Sequence, residues 1–254
     1  MDDPSVAPNE TVGSWSVRRV AETGSTNDDL FDLGRAGSAD RVALVAAHQT
    51  AGKGRLDRRW DAPPSTNLLV SMLFRDVPRD PHVLVHAVAL AAASAAVTTC
   101  GVTPVLKWPN DLLGPDAHAK LAGILATAGP ITGERPAFVV VGIGFNVNWA
   151  PDGATSLSAE AGRAVDVDDV LRSLLVSVDR FLAMTPTQLH DAYRRRLGTL
   201  RRQVEVHLPG DRIVEGRALD IEPDGRLVVL DRCGVTHRFT VGDVVHVRTT
   251  NVGS

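Results

Sequence analysis

Lysine is scarce in this chain, and its three lysines lie in short segments that also carry other polar groups. Of 27 lysine and arginine residues, only Lys53, Lys107 and Lys120 are lysine. Where arginine is used so freely, a lysine that is kept indicates a position that needs a compact ammonium rather than a planar guanidinium. Chance or codon bias is the alternative explanation. The segments around the three lysines are therefore the first candidates for chemistry.

The segment 49–60 (QTAGKGRLDRRW) combines glycines with positive charge and ends in an aromatic residue. Its cations are Lys53, Arg55, Arg58 and Arg59. Glycines such as Gly54 let a backbone approach a phosphate closely, and cations neutralise it. The spacing of a nucleotide P-loop is absent. Trp60 at the end of the loop favours a lid that folds onto a ligand, whereas a solvated basic loop is the alternative.

The segment 107–111 (KWPND) places a cation, an amide and a carboxylate within five residues, after a predicted strand. Pro109 fixes a turn there, which presents Asn110 and Asp111 at the strand end. Such a set could serve phosphate, ribose and a magnesium ion. An ordinary Pro-Asn-Asp turn is the alternative.

Two further segments combine glycine with strand patterning. Residues 120–125 (KLAGIL) place one lysine before a buried strand, and residues 142–148 (GIGFNVN) place glycines inside a strand. Such glycines indicate close approach by a ligand or another backbone, or else a bulge.

Hydrophobic patterning predicts the elements that must position these segments. Strands are predicted at 15–20, 42–47, 67–74, 105–108, 121–126 and 138–148, and helices at 25–34, 80–99, 167–184 and 187–197. Because strands and helices do not alternate regularly, a mixed α+β fold is favoured over a doubly wound parallel sheet. Short β-rich runs after residue 203 predict a small β-barrel. We therefore expect a disordered tail at 1–13, a catalytic domain at 14–199 and a C-terminal β-barrel domain at 200–254.

Composition narrows the classes of protein to consider. The chain has 254 residues, 44% hydrophobic, and a formal net charge of −3, which does not favour a nucleic-acid-binding face. Two distant cysteines, Cys100 and Cys233, form no disulfide framework and no metal cluster, as is typical of a reducing cytoplasm. The apolar stretch 83–97 is shorter than the ~20 residues of a membrane span, and no signal peptide is visible. We expect a soluble, cytoplasmic protein that binds neither DNA nor membranes.

Taken together and in this order, five segments of the chain resemble biotin protein ligases. The segments are Gly24–Asn27, Gln49–Arg55, Lys107–Asp111, Lys120–Leu125 and Gly142–Asn146. The resemblance covers roughly residues 15–250. It implies a class II synthetase/biotin ligase-like fold: a mixed β-sheet with flanking helices and a small C-terminal barrel. The first motif begins at Gly24, which is typical of the short form without an N-terminal helix-turn-helix domain.

The resemblance implies a reaction in two steps. Enzymes of this family make biotinyl-5′-AMP from biotin and MgATP and release pyrophosphate. They then transfer biotin to a specific lysine of a biotin carboxyl carrier protein domain of biotin-dependent carboxylases. ATP and Mg²⁺ are thus the implied cofactors and biotin is the substrate. A homodimer is an open alternative, because the sequence does not determine the oligomeric state.

By the same resemblance, individual residues take expected roles. Catalysis is expected of Arg55, Lys120 and Asp111, and Asp111 is also the candidate magnesium ligand. The biotin site is expected to comprise Ser25, Thr26, Asn27, Gln49, Lys53, Gly54, Arg55, Trp60, Lys120 and Gly123. Nucleotide binding is expected of Arg58, Lys107, Asn110 and Asn146.

The basic loop departs from the family pattern. The family loop usually reads Gly-Arg-Gly-Arg, whereas here Lys53 replaces the first arginine and Asp57 adds a negative charge. The charge at position 53 is kept but the bidentate fork is lost. We expect this departure to affect the ordering of the loop and its retention of the adenylate more than the activity itself.

Two rival functions are weighed against this prediction. A lipoate or octanoate protein ligase would be expected to show an Arg-Arg-x-Ser-Gly-Gly-Gly segment, which this chain lacks. A non-catalytic binding member of the same fold is the other rival. The presence of all three lysines together with Arg55 argues against it.

Overall fold

The computed structural model describes residues 10–56, 58–240 and 242–246. An eight-stranded sheet and a two-stranded hairpin account for the strands of the first part of the chain. The strands are β1 (Glu10–Val12), β2 (Trp15–Thr23), β3 (Val42–Gln49), β4 (Leu68–Phe74), β5 (Val105–Lys107), β6 (Asp111–Leu113), β7 (Lys120–Ala128), β8 (Ile131–Thr132), β9 (Arg135–Pro136) and β10 (Val139–Phe145). The large sheet has the order β1-β2-β3-β4-β10-β7-β6-β5, and β8 pairs with β9.

The large sheet is mixed, which confirms the predicted α+β class. Strand β2 pairs with β3 in parallel, whereas the pairs of β10 with β4 and β7 are antiparallel. The central strands β4 (LLVSMLF) and β10 (VVVGIGF) are almost entirely buried. Their nearly continuous apolar runs follow from burial on both faces of the sheet.

The described residues form five helices, most of which pack on the two faces of this sheet. They are α1 (Thr26–Arg35), α2 (His82–Cys100), α3 (Leu157–Ala161), α4 (Val167–Leu182) and α5 (Pro186–Arg196). Helix α1 packs on β3, β4 and β10, whereas α2 packs on β7 and β10 and is itself covered by α4 and α5. The side chains of alternate residues on β10 divide between these faces: Val139, Val141 and Ile143 join the core under α2, and Val140 joins the cluster under α1.

Helix α2 (HVLVHAVALAAASAAVTTC) is the core helix of this domain. It ends at Gly101, whose φ of 74° is the left-handed conformation that glycine adopts at helix ends. Its alanines are small enough to let α4 approach closely. Among the described residues, α2 alone is long and apolar enough to cross a membrane, but most of it is buried inside the protein.

The C-terminal part forms the small β-rich domain that the sequence predicts, as a five-stranded antiparallel sheet. Its strands are β11 (Gln203–Leu208), β12 (Arg212–Ile221), β13 (Leu227–Asp231), β14 (Thr236–Phe239) and β15 (Asp243–His246), in the order β14-β13-β12-β11-β15. Residues 240–242 can span only about 15 Å, so the sheet must curl until its edges approach each other. Within the described residues β14 and β15 share no ladder, so the barrel stays open. Strand spacing predicts short strands but not whether the last two pair.

The predicted tail at 1–13 is too long. Glu10–Val12 forms β1, which pairs with residues 15–17 of β2. Residues 1–9 of that tail, and residues 247–254 of the predicted C-terminal domain, lie outside the described residues.

Candidate active site

A cavity of about 290 Å³ lies on the α1 face of the large sheet, beneath the segment 49–60. Of the residues that the sequence predicts for the site, all except Lys107 and Asp111 line this cavity. They come from the start of α1, the end of β3, the basic loop, β7 and the end of β10. The structure thus brings together groups that are up to about half the chain apart in sequence.

Glycines of β7 and β10 form the floor of the cavity. Only residues without a side chain leave room for the tryptophan that lies on them. Gly144 of β10 pairs with Gly123 of β7, and both lie beneath the indole of Trp60. A Cβ atom at Gly144 would lie 2.3 Å from Cε2 of Trp60, and one at Gly123 would lie 3.0 Å from Cζ3. The sequence indicates that another group approaches these glycines closely. In the structure that group is the side chain of Trp60. Trp60 thereby forms an apolar wall of the cavity.

The polar end of the cavity is built around the start of α1. Ser25 occupies the N-cap position, but its hydroxyl makes no capping hydrogen bond. Instead, the backbone N–H and the hydroxyl of Thr26 donate to Oε1 of Gln49, at 2.8 and 3.0 Å. Gln49 thus satisfies one of the free N–H groups at the start of the helix, and the Ser25 hydroxyl remains available to a ligand.

A buried serine that the sequence analysis missed completes this end. Ser71 of β4 is fully buried, lines the cavity and lies 2.9 Å from the hydroxyl of Thr26. Asn27 donates from Nδ2 to the carbonyl of Leu125 at 3.1 Å. One serine inside the apolar run LLVSMLF is the signal that could have identified Ser71, because a hydroxyl in a central strand needs a polar partner.

Asp111 lies between two of the three lysines. Its carboxylate is 2.7 Å from Nζ of Lys120 and 3.8 Å from Nζ of Lys107. The pairing follows from strand register, since Lys107 faces Asp111 between β5 and β6, and Asp111 faces Gly123 between β6 and β7. The Lys120 ammonium also lies 5.5 Å from the centre of the Trp60 ring, a cation–π distance.

This arrangement does not fit a resident metal ion at Asp111. Two ammonium groups already neutralise the carboxylate, and the described residues contain no group of three His, Cys, Asp or Glu side chains that could hold a metal. Mg²⁺ is commonly held by one or two carboxylates together with substrate phosphates. A magnesium ion used here would therefore arrive with a phosphorylated substrate.

Three of the four cations of the basic loop are paired with carboxylates. Lys53 lies 2.7 Å from Asp28 on α1, Arg58 lies 3.0 Å from Asp243 on β15, and Arg59 lies 3.4 Å from Asp61. These contacts tie the loop to the main domain and to the C-terminal sheet. The predicted effect of Asp57 falls on a residue outside those that the structure describes.

Arg55 differs from the other loop cations. It donates to Oδ1 of Asn110 at 3.0 Å and to the carbonyl of Gly242 at 3.1 Å, and no described carboxylate forms an ion pair with it. Burial lowers the pKa of Arg55, while the charges of Asp243 and Asp111 oppose that shift. A partly buried guanidinium with neutral partners can attract an anion within the cavity.

Asn146 closes the end of the cavity, and its amide is already used. Its Nδ2 donates to the carbonyl of Thr155 at 3.1 Å, and its Oδ1 accepts from Nδ2 of Asn67 at 3.3 Å. Asn67 in turn accepts from the backbone N–H of Val147 at 2.9 Å. These bonds fix the chain after β10. Asn146 therefore helps to shape the cavity, and its expected contact with a nucleotide stays a prediction.

Comparisons with known proteins show the family to which this chain is related. Residues 21–146 match the biotin/lipoate A/B protein ligase family, and residues 199–247 match the biotin protein ligase C-terminal domain. The biotin--[acetyl-CoA-carboxylase] ligase of Mycobacterium tuberculosis is 41% identical over 90% of this chain and 88% of its own length. The bifunctional ligase/repressor BirA of Bacillus subtilis is 29% identical over 83% of this chain and 68% of its own.

A solved structure shows the same fold. The biotin protein ligase of Aquifex aeolicus, in complex with biotin and ATP, superposes with a TM-score of 0.75 over 92% of this chain and 99% of that one. Its sequence identity is 23%, so the likeness concerns the fold alone.

Proposed function

Because this chain belongs to the biotin protein ligase family, we propose that it activates biotin with MgATP and transfers it to a lysine of a biotin carboxyl carrier protein domain. The first step forms biotinyl-5′-AMP and releases pyrophosphate, so the enzyme is an ATP-dependent ligase. The observation that carries the residue assignment is that Lys120 and Arg55 line one cavity, and that no described carboxylate forms an ion pair with Arg55.

Activation requires two anions to meet. The biotin carboxylate must approach the α-phosphate of ATP, and the two repel each other unless cations lie between them. Lys120 and Arg55 supply those cations from two walls of the cavity. Their contribution is positioning and stabilisation of the charge that develops on the phosphorus. Arg55 does not have to break an ion pair with any described carboxylate in order to bind the substrate. Lys120, in contrast, must share its charge between Asp111 and the substrate.

The cavity suits a ligand that is polar at one end and apolar along its body. We assign the start of α1, with Ser25 and Thr26, and the buried Ser71 to the polar ring of biotin. Trp60 and the glycine floor pack against the apolar body. Gln49 holds Thr26 in place, and Asn27 ties the helix to β7.

The remaining lining groups are assigned to the nucleotide. Arg58 and Asn110 lie on the side of Arg55, where Asn110 already contacts that guanidinium. Lys107 lies outside the cavity, 3.8 Å from Asp111, and can act only by tuning that carboxylate unless the β5–β6 turn moves.

The second step needs a nucleophile that the carrier supplies. Neither Cys100 nor Cys233 lines the cavity, so neither could attack the acyl group. The incoming lysine must lose a proton, and Asp111 is the nearest carboxylate to Lys120. When Lys120 turns towards the substrate, Asp111 becomes a candidate acceptor for that proton.

Two alternative functions share this fold: a lipoate or octanoate protein ligase, and a non-catalytic binding protein. The matched family model covers both biotin and lipoate ligases, and it does not separate the two substrates. The 41% identity to a biotin ligase over most of the chain favours biotin. The cytoplasmic location, the homodimer and the absence of specific DNA binding stay predictions.

The experiment that tests the proposal is ATP–pyrophosphate exchange with biotin, lipoate or octanoate, in the presence of MgATP. Exchange with biotin alone is expected. Exchange with lipoate or octanoate instead would keep the fold but overturn the substrate, and no exchange with any acid would favour the non-catalytic alternative. Incorporation of labelled biotin into a carrier domain, with a carrier whose target lysine is changed to arginine as control, then tests the transfer step.

A further inference from the structure

The basic loop over the cavity is held partly by the C-terminal sheet. Arg58 forms its ion pair with Asp243 at 3.0 Å, and Arg55 donates to the carbonyl of the preceding residue, Gly242, at 3.1 Å. Gly242 and Asp243 are thus adjacent residues that contact two loop cations. They lie about 190 residues from the loop along the chain, so only the tertiary fold creates these contacts.

Gly242 and Asp243 are themselves held in place by the backbone of the C-terminal sheet. Asp243 begins β15 and faces His207 of β11 in the antiparallel ladder. Gly242 has a φ of 148°, a conformation that residues with side chains rarely adopt, and a Cβ atom there would lie 2.8 Å from Cγ1 of Val206. The carbonyl that accepts from Arg55 is therefore oriented by a backbone geometry that requires glycine.

We propose that Asp243 is a positioning residue that holds the loop 49–60 closed over the cavity, so that the C-terminal domain controls how slowly the bound acyl-adenylate escapes. This inference rests on the proposed function, because it takes the adenylate as the occupant. Asp243 does not line the cavity. It acts through Arg58, and its charge also supports the nearby Arg55. The loop carries the wall residues Lys53, Gly54 and Trp60, so its opening would uncover the cavity.

The solvent exposure of the Arg58–Asp243 ion pair determines how strongly a substitution of Asp243 should affect the loop. The Arg58 side chain is 55% exposed and that of Asp243 is 30% exposed. Solvent screens such pairs, so removal of the Asp243 charge should open the loop only about threefold to fivefold more often. A positive charge at position 243 would face both Arg55 and Arg58 and repel them. The charge reversal should therefore have the larger effect, about tenfold or more.

The test compares Asp243→Asn, Asp243→Arg and the conservative Asp243→Glu in the full-length protein. The first measurement is hydrogen exchange of the peptide that spans residues 49–60, without ligand. The second is the rate at which adenylate, formed in place from biotin and MgATP, leaves the enzyme after rapid desalting. Both rates should rise in the order Glu, Asn, Arg, with Glu near the wild type. Pyrophosphate exchange at saturating substrates should change less than the escape rate.

Glu215→Gln provides a matched control. Glu215 pairs with Arg232 at 2.9 Å in the same C-terminal sheet, and among the described residues neither forms a hydrogen bond or ion pair with the loop. If Asp243→Asn and Asp243→Arg match the wild type in both rates, or if Glu215→Gln changes them equally, the positioning role is wrong. If the wild-type enzyme shows no exchange with biotin, the proposed function fails, and hydrogen exchange of the loop still decides whether Asp243 holds it.

Discussion

The two faces of the large sheet use the same strands for different purposes. On the face towards α2, the side chains Val139, Val141 and Ile143 of β10 are buried in a continuous apolar core. On the opposite face the same strand presents Val140 and then two glycines, Gly142 and Gly144. The first face is filled with apolar side chains, whereas the second contains a cavity near α1. The stability of this domain and its binding site are therefore built on opposite sides of one strand.

Polar groups show the same division. The α2 face buries alanine, leucine and valine with few charges, and its stability comes from the removal of apolar surface from water. On the α1 face most of the polar groups are engaged by one another, as in the contacts of Thr26 with Gln49 and of Lys120 with Asp111. A substitution on one face should therefore affect stability and leave chemistry intact, and a substitution on the other should do the reverse.

Lys120→Gln should give the largest difference between the loss of activity and the loss of stability. Loss of one oriented charge at a reacting centre commonly lowers the rate about 10²- to 10³-fold, or about 3–4 kcal/mol of barrier. Lys107 still lies near Asp111, so the carboxylate keeps a partner and the free energy of unfolding should change little. Pyrophosphate exchange and thermal unfolding of the same sample measure both. A decrease of less than tenfold would remove Lys120 from the reacting centre.

The opposite face is tested with Leu90→Ala. Leu90 lies on α2 and is fully buried in the core, so its truncation should lower the free energy of unfolding by about 3 kcal/mol. The exchange rate at 25 °C should remain that of the wild type as long as the protein is folded. Val176→Ala on the exposed side of α4 is the control, with an expected change within about 0.5 kcal/mol. Equal loss of activity and stability in the folded Leu90→Ala protein would contradict the division between the faces.

A smaller effect is expected from Gly144→Ala on the hollow face. The added Cβ would overlap the Trp60 ring, so the indole must move and the KM for biotin should rise about tenfold, or about 1.4 kcal/mol. The unfolding midpoint should change less than in Leu90→Ala. A double-mutant cycle with Trp60→Ala tests the cause. If Gly144→Ala still raises the KM in the background of Trp60→Ala, displacement of the indole is not the reason.

The smallest effect concerns the pH dependence of stability, through a buried histidine of α2. Burial on α2, with smaller contributions from His82 and His190, lowers the pKa of His86 to about 3. The unfolded chain then binds a proton below pH about 6.5 that the folded chain excludes, so stability falls as pH decreases. The loss from His86 between pH 7 and pH 6 should be about 0.7 kcal/mol.

Urea unfolding of the wild type and of His86→Phe at several pH values measures this contribution. Phenylalanine keeps an aromatic ring against Tyr193, with which His86 stacks at 3.8 Å, but it cannot take up a proton. The variant should show a shallower decrease in stability below pH 6.5. Identical slopes would mean that His86 does not titrate on unfolding.

Much of the fold could be predicted because it depends on local pattern. The core helix α2 follows from an alanine-rich apolar run that stops at glycine, and β10 follows from a β-branched run. The C-terminal β-rich domain follows from its short strand-like runs, but the lack of a ladder between β14 and β15 in the described residues could not be predicted, since pairing of edge strands depends on curvature. The contact of Thr26 with Gln49 could not be predicted either, because it joins the start of α1 to the end of β3.

By itself, the sequence determined which short segments are the candidates for chemistry, because glycines, lysines and a terminal aromatic are recognisable where they stand. Only the tertiary structure decided which groups meet. It placed Asp111 between two lysines, Trp60 on the glycines of β7 and β10, and Asp243 against Arg58. Asp111 is close in sequence to both lysines but meets them through strand register, whereas the contacts of Trp60 and Asp243 join distant residues and depend on the tertiary fold. No local pattern of residues encodes that information.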